Sequence, residues 1–154
     1  MKKLFLIIGL IALLIAGCSN DVNKTQNNRE SFPPSMAGWV QVNGQSYEMD
    51  EGGYRWERKK GLTTETVQTD HLSPNQVADQ LHTIQLAPNT NIHIEVEENP
   101  EMVVYLWNEN GRDKEMMIKN NEMTVPQNEG RYIYEVLASW SNGEVSYTFV
   151  VEVN

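Results

Sequence analysis

The chain has 154 residues, with 12 Lys and Arg against 21 Asp and Glu, a formal net charge of -9, one Cys and three His. This length supports one domain, or one domain with an appendage. The acidic excess opposes binding to nucleic acids and to anionic lipid headgroups, because both are negatively charged. We therefore expect no nucleic-acid partner.

The first 18 residues are unlike the rest of the chain. Lys2 and Lys3 form a short basic head, and an almost unbroken apolar run follows at positions 4–16. As a helix, residues 4–17 would span about 21 Å, which is shorter than the roughly 30 Å hydrocarbon core of a bilayer. The run is therefore typical of an export signal and not of a permanent membrane span.

The sequence before the only cysteine reads Leu-Ile-Ala-Gly at positions 14–17. It resembles the lipobox of bacterial lipoproteins, in which small residues precede an invariant cysteine. The resemblance implies cleavage between Gly17 and Cys18, a diacylglyceryl thioether and palmitate-type acylation on Cys18, and attachment to the extracytoplasmic face of the cell membrane. Two acyl chains on one residue anchor stably. The alternative is an ordinary signal peptide with an incidental cysteine.

Downstream of Cys18 the composition predicts a tether and then a folded domain. Residues 19–34 contain only two apolar side chains, Val22 and Phe32, and are rich in Asn and Ser. Such a segment cannot bury enough surface to offset backbone ordering. We expect a signal peptide at 1–17, the lipidated cysteine and flexible tether at 18–37, and one domain at 38–154, which has no cysteine for a disulfide.

Strand signals begin at Gly38. Residues 39–42 alternate, Asn43-Gly44 is a preferred two-residue turn, and residues 45–49 return, which predicts a β-hairpin. Further strands are predicted at 54–58 and 62–68. Residues 73–81 are the one helix candidate, because Ser73 can cap it and Pro74 suits its first turn.

The second half contains closely spaced strand patterns with short Asn, Gly or Pro breaks. They lie at 84–87, 92–97, 102–108, 114–120, 123–125, 132–140 and 145–153. Many short strands with a single short helix predict an all-β fold, an antiparallel β-sandwich. The last two strands have matching apolar faces and should form a hairpin in the core.

The segment at 128–134, with Gly130 followed by Tyr132, resembles the immunoglobulin-type corner before strand F. In that family the position of Tyr134 usually holds a disulfide cysteine, so the chain looks like a disulfide-free version, and Trp107 lies where the strand C tryptophan would be expected. The resemblance covers residues 82–154 and implies an immunoglobulin-like β-sandwich, with residues 38–81 as N-terminal extra hairpins. The whole chain is similar to small Bacillus-type surface lipoproteins of unassigned function, which implies no activity.

Catalytic signatures are not found in the sequence. Lipidation would consume Cys18, and there is no Gly-x-Ser-x-Gly elbow or Gly-rich phosphate loop, so we expect neither an enzyme nor a cofactor. His93, Glu95 and Glu97 share one predicted strand face and could hold a divalent cation weakly, although a solvated strand face is the favoured interpretation. Residues 108–113 have some oxygen ligands of a calcium loop, but fit a hairpin turn better.

Aromatic residues give the remaining functional hypothesis. Tyr54, Trp56 and Arg58 fall on one face of a predicted strand, flanked by basic residues in an otherwise acidic chain. Trp, Tyr and Arg are enriched in binding hot spots. This strand is therefore a candidate recognition surface, and the alternative is an amphipathic strand at the edge of the sandwich.

These observations favour a lipid-anchored, extracytoplasmic, non-catalytic module that binds another envelope or surface protein. The membrane is a partner through the N-terminal lipid. The alternative from a different class is an inhibitor or regulator of an envelope protease or other enzyme.

Overall fold

A computed structural model describes residues 31–154, and the predicted leader, with Gly17 and Cys18, lies outside the described residues. The described chain forms eleven strands and one short helical segment. The strands are β1 (Gly38–Val42), β2 (Gln45–Glu48), β3 (Asp50–Lys60), β4 (Thr63–Thr69), β5 (Thr83–Leu86), β6 (Asn91–Val96), β7 (Glu101–Asn108), β8 (Gly111–Met116), β9 (Glu122–Thr124), β10 (Gly130–Trp140) and β11 (Gly143–Val153). The helix α1 (Pro74–Val77) continues into a 3-10 turn at Ala78–Gln80.

The strands form two sheets. The small sheet has the order β2-β1-β6-β9, and the large sheet has the order β4-β3-β11-β10-β7-β8, with β5 also paired to β11. All pairs are antiparallel except β5 with β11. The prediction of an all-β sandwich with N-terminal extra hairpins and one short helix is confirmed. No helix within residues 31–154 is long and apolar enough to cross a membrane.

The core lies between the inner faces of the two sheets. The hairpin of β10 and β11 supplies much of it, because Tyr134 lies opposite Phe149 and Val136 opposite Tyr147. Their side chains are 0–4% exposed, and the rings of Tyr134 and Phe149 stack at 5.0 Å. The predicted hairpin of β10 and β11 therefore lies at the centre of the large sheet's inner face, as its period-two apolar pattern requires.

Residues 38–81 extend both sheets. The hairpin of β1 and β2 adds to β6, and its turn residues Asn43 and Gly44 have φ angles of 52° and 76°. Positive φ at both central positions is what a type I′ hairpin turn requires. The hairpin of β3 and β4 adds to the first half of β11, while β5 pairs with the second half of the same edge.

The corner before β10 is held by the side chain of Tyr132. Tyr132 Oη donates a hydrogen bond to the carbonyl oxygen of Asn128 at 2.9 Å, which is the geometry of a tyrosine corner. Tyr134, two residues later, is fully buried in the core. The expectation for Trp107 is wrong, because the inward positions of β7 are Met102, Val104 and Leu106, so the Trp107 side chain lies on the outer face.

The bounds of strand β8 also differ from the prediction, although the turn before it does not. Residues 108–113 contain the expected hairpin turn, and Asn108 Nδ2 donates to Asp113 Oδ1 across it at 2.8 Å. However, the following strand, β8, starts at Gly111 and ends at Met116, whereas the sequence predicted a strand at 114–120. An edge strand exposes most of its side chains, so apolar residues do not mark its limits.

Candidate functional site: the open face of the large sheet

The predicted recognition residues of β3 share one face, but that face points into the sandwich. Trp56 is only 1% exposed, and its ring lies 5.0 Å from that of Trp140. Tyr54 is half-buried against the core, and only Arg58 is exposed. Trp56 therefore cannot present its indole to a partner. The period-two alternation groups residues by face, but it does not show which face lies inside the sandwich.

His93, Glu95 and Glu97 lie along β6 and its end, on the outer side of the small sheet. Glu95 accepts a hydrogen bond from the Gln41 amide, and Glu97 accepts one from the backbone N–H of Ala37 at 3.0 Å. Within residues 31–154 no group of three His, Cys, Asp or Glu side chains could hold a metal ion. The carboxylates instead fasten β6 to β1 and to the segment before it.

A cluster on the outer face of the large sheet centres on Glu135, in the middle of β10. Glu135 is 4% exposed and is one of two buried polar or charged residues in the described chain. Its carboxylate accepts four hydrogen bonds: from Trp107 Nε1 at 2.7 Å, from Arg112 Nε at 2.8 Å and Nη2 at 2.9 Å, and from Ser146 Oγ at 2.9 Å. Arg112 therefore binds both oxygens in the bidentate geometry that is strongest for a guanidinium.

The pKa values of Glu135 and Arg112 are shifted by these hydrogen bonds. Burial alone would raise the pKa of Glu135, but hydrogen bonds from Arg112, Trp107 and Ser146 outweigh burial and hold that pKa below its ordinary value. The hydrogen bonds to Glu135 in turn raise the pKa of Arg112. The pair is therefore ionised at neutral pH, and the Arg112 side chain stays in place although 44% of it is exposed.

The helix α1 covers one end of this outer face. Pro74 and Val77 are buried against the sheet, and Asn75 Nδ2 donates to the carbonyl oxygen of Asn108 at 2.7 Å. Arg131, at the start of β10, holds the 3-10 turn in place through an ion pair, in which its Nη1 lies 2.8 Å from Asp79 Oδ1. The helix thereby closes the end of the face that contains Trp107.

The other end carries no helix in the described part of the chain, and we call it the open face. Strand register places Tyr105 beside Glu135, Val103 beside Leu137, and Leu137 beside Ser146. The Arg112 guanidinium lies 4.4 Å from the centre of the Tyr105 ring. The open face consists of Glu101, Val103, Tyr105, Arg112, Glu135, Leu137, Ser139, Glu144 and Ser146.

Sequence reasoning missed this face. The turn pattern at 108–113 does not mark Arg112 as a site residue, and the immunoglobulin resemblance places Trp107 at the strand C position. The available signal was Glu135, a lone carboxylate between two core residues of a long apolar strand. A buried charge requires a partner, so the strand itself indicated that a cation and further donors must converge on its outer side.

Comparison of the chain with models of protein families, with curated proteins and with solved structures found no match.

Proposed function

We propose that the protein is a lipid-anchored, extracytoplasmic, non-catalytic module that binds another envelope or surface protein through its open face. The observation that supports this proposal is the Arg112 side chain, which is fixed by a buried carboxylate and stacked on Tyr105 at a surface that nothing covers in the described chain.

Preorganisation is what makes this surface suitable for binding. A flexible arginine loses side-chain entropy when it binds a partner, whereas Arg112 is already held in one position by Glu135. Tyr and Arg are enriched among hot spots, and half-buried apolar neighbours such as Val103 and Leu137 exclude water around them. The open face therefore combines a rigid charged centre with an apolar surround.

The anchor rests on the sequence at 14–18. If Cys18 carries the lipid, Cys18→Ser should release the protein from the membrane or block its processing. Membrane fractionation of cells that express the wild type and Cys18→Ser checks this. Unchanged membrane retention of the variant would refute the anchor.

Partner binding is tested by cross-linking the lipidated protein in its own cells and comparing two tyrosine variants. Tyr105→Ala should lose the cross-linked partner, with a loss of about 2 kcal/mol or more in binding free energy if Tyr105 is a hot spot. Tyr47→Ala is the matched control, because Tyr47 is also half-buried and stacked, on His82 at 5.7 Å, but belongs to the small sheet. Equal loss in both variants would contradict a specific role for the open face.

The same surface would also serve an inhibitor or regulator of an envelope enzyme. Near-stoichiometric protection of a substrate in a protease panel, lost in Tyr105→Ala and kept in Tyr47→Ala, would identify that class of partner.

A further inference from the structure

The hairpin of β3 and β4 projects beyond the large sheet. Pairing of β3 with β11 ends where Trp56 lies opposite Gly143, whereas its pairing with β4 continues to Lys60 and Thr63. The backbone N–H of Glu57 still donates to Asn142 in the turn between β10 and β11, at 2.8 Å. The four remaining residues of β3 carry the hairpin tip roughly 13 Å past Trp56.

The tip combines an apolar side chain with cations. Leu62 is fully exposed, at 106% of its reference area, in the two-residue turn with Gly61. Three consecutive cations, Arg58, Lys59 and Lys60, precede this turn, whereas residues 31–154 contain only eight Lys and Arg in all. Glu65 pairs with Arg58 at 2.8 Å and lies 3.9 Å from Lys60. Lys59 and Lys60 are exposed beside Leu62.

The chain enters the domain at the same end. The Phe32 ring lies under the Arg58 guanidinium, 4.3 Å from its centre. Two hydrogen bonds fix the segment from Phe32 to β1. Tyr147 Oη donates to the carbonyl oxygen of Met36 at 2.7 Å, and the backbone N–H of Glu97 donates to the carbonyl oxygen of Ala37 at 3.0 Å. The described chain therefore begins next to the root of the projecting hairpin.

We propose that this hairpin tip contacts the surface of an anionic bilayer, with Leu62 at the boundary of the acyl chains and Lys59 and Lys60 among the headgroups. This inference rests on the proposed lipid anchor, because the anchor makes a weak contact intramolecular. An exposed apolar residue flanked by lysines is the composition of an interfacial contact. The remaining acidic surface is repelled by the same bilayer, so the contact fixes the orientation of the domain.

The test uses the mature lipidated protein on vesicles of phosphatidylcholine with phosphatidylglycerol. Leu62→Cys is labelled with an environment-sensitive dye, since the lipid occupies the thiol of Cys18. Met117→Cys is the matched control, because Met117 is 90% exposed and follows β8, at the opposite edge of the sheet from β4. We expect a blue-shifted emission and protection from an aqueous quencher at position 62 and not at position 117.

Lysine variants test the charge component. Lys59→Gln and Lys60→Gln should each lower the ratio of protected to unprotected label at position 62 by about fivefold on anionic vesicles. Equal protection on pure phosphatidylcholine, or protection without vesicles, would overturn the assignment to anionic lipid.

Vesicle sedimentation separates this proposal from the proposed anchor. If the protein sediments with vesicles while position 62 stays as accessible as position 117, the hairpin contact is overturned and the anchor stands. If the protein remains in the supernatant, the anchor and the hairpin contact are both overturned.

Discussion

Two tryptophans of the large sheet, each on a strand with a tyrosine and near an arginine, have opposite roles. Trp56 of β3 points inward, is 1% exposed, and its Nε1 has no hydrogen-bond partner among the described residues. Trp107 of β7 points outward, is half-buried, and its Nε1 donates to Glu135. Both strands therefore combine Trp, Tyr and a nearby Arg. They differ in that only Trp107 has a carboxylate partner, Glu135, on the outer face of the sheet.

The polar neighbours along each strand decide which side of the sheet its residues face. On β3 the neighbours of Trp56 are Arg55 and Glu57, whose side chains are 55% and 39% exposed and pair with each other, so the intervening Trp56 must face the other way. On β10 the neighbours of Glu135 are core residues, so the carboxylate must face outward and collect its donors there. The buried charge, more than the aromatics, marks the candidate site.

The largest expected effect is at Trp56. Trp56→Ala should lower the free energy of unfolding by about 3–5 kcal/mol, because it removes a fully buried ring and leaves a cavity. Arg55→Ala, on the outward side of the same strand, should change it by less than about 0.5 kcal/mol. Urea denaturation of both variants measures the difference. Similar small losses at both positions would show that Trp56 is not interior.

The next effect is at the ion pair. Arg112→Met should cost about 2 kcal/mol, because Glu135 is left buried without its main partner, although the exposed side of Arg112 lets water compensate partly. Adding Glu135→Leu should recover part of that loss, because it removes the buried charge but leaves Trp107 Nε1 and Ser146 Oγ without their acceptor. A double-mutant cycle from denaturation curves gives the coupling energy. If the double variant is less stable than Arg112→Met, Glu135 is not the charge that Arg112 compensates.

Acid should reveal the same pair with a smaller effect. Because the folded state holds the pKa of Glu135 below its ordinary value of 4.5, the unfolded state binds more protons between the two values. The contribution of Glu135 is therefore complete above about pH 5 and is lost as the pH falls through the folded-state pKa. Urea midpoints from about pH 6 to about pH 3 should fall more steeply in the wild type than in Arg112→Met with Glu135→Leu. Parallel curves would exclude this pair as a source of acid sensitivity.

The smallest expected effect on stability is at Tyr105. Tyr105→Ala removes a half-buried ring and its cation–π contact with Arg112, which is worth about 0.5–1 kcal/mol at an exposed site. We expect a loss of about 1 kcal/mol in thermal or urea denaturation, together with retained β structure in circular dichroism. A loss as large as that of Trp56→Ala would assign Tyr105 to the core instead of the surface.

Much of the fold could be predicted from the sequence because its signals are local. Asn43-Gly44 specifies a tight turn, and the alternating residues of β10 and β11 specify a hairpin with one buried side. The parallel pairing of β5 with β11 has no local signal, because it joins residues far apart in the chain. The end of β8 differs from the predicted strand at 114–120, because Met117 and Ile118 continue an apolar run after the strand has ended.

The candidate site could not be predicted to the same extent. Its members come from β7, β8, β10 and β11, so only the strand order brings Arg112 and Ser146 to the same carboxylate. Trp56 and Trp107 show the second difficulty. Each lies in an alternating strand, and the pattern does not state which side faces the core until neighbouring strands are placed.

Photo-cross-linking from the open face tests the central claim most directly. A photoreactive amino acid at Ser139, in the register row of Glu101 and Glu144, should give a covalent adduct with a partner protein in cells. The same group at the exposed Ser46 of β2, in the small sheet, is the control. We predict an adduct from position 139 that disappears when Tyr105→Ala is added, and none of the same size from position 46. An adduct at position 46 alone, or one at position 139 unchanged by Tyr105→Ala, would contradict the account.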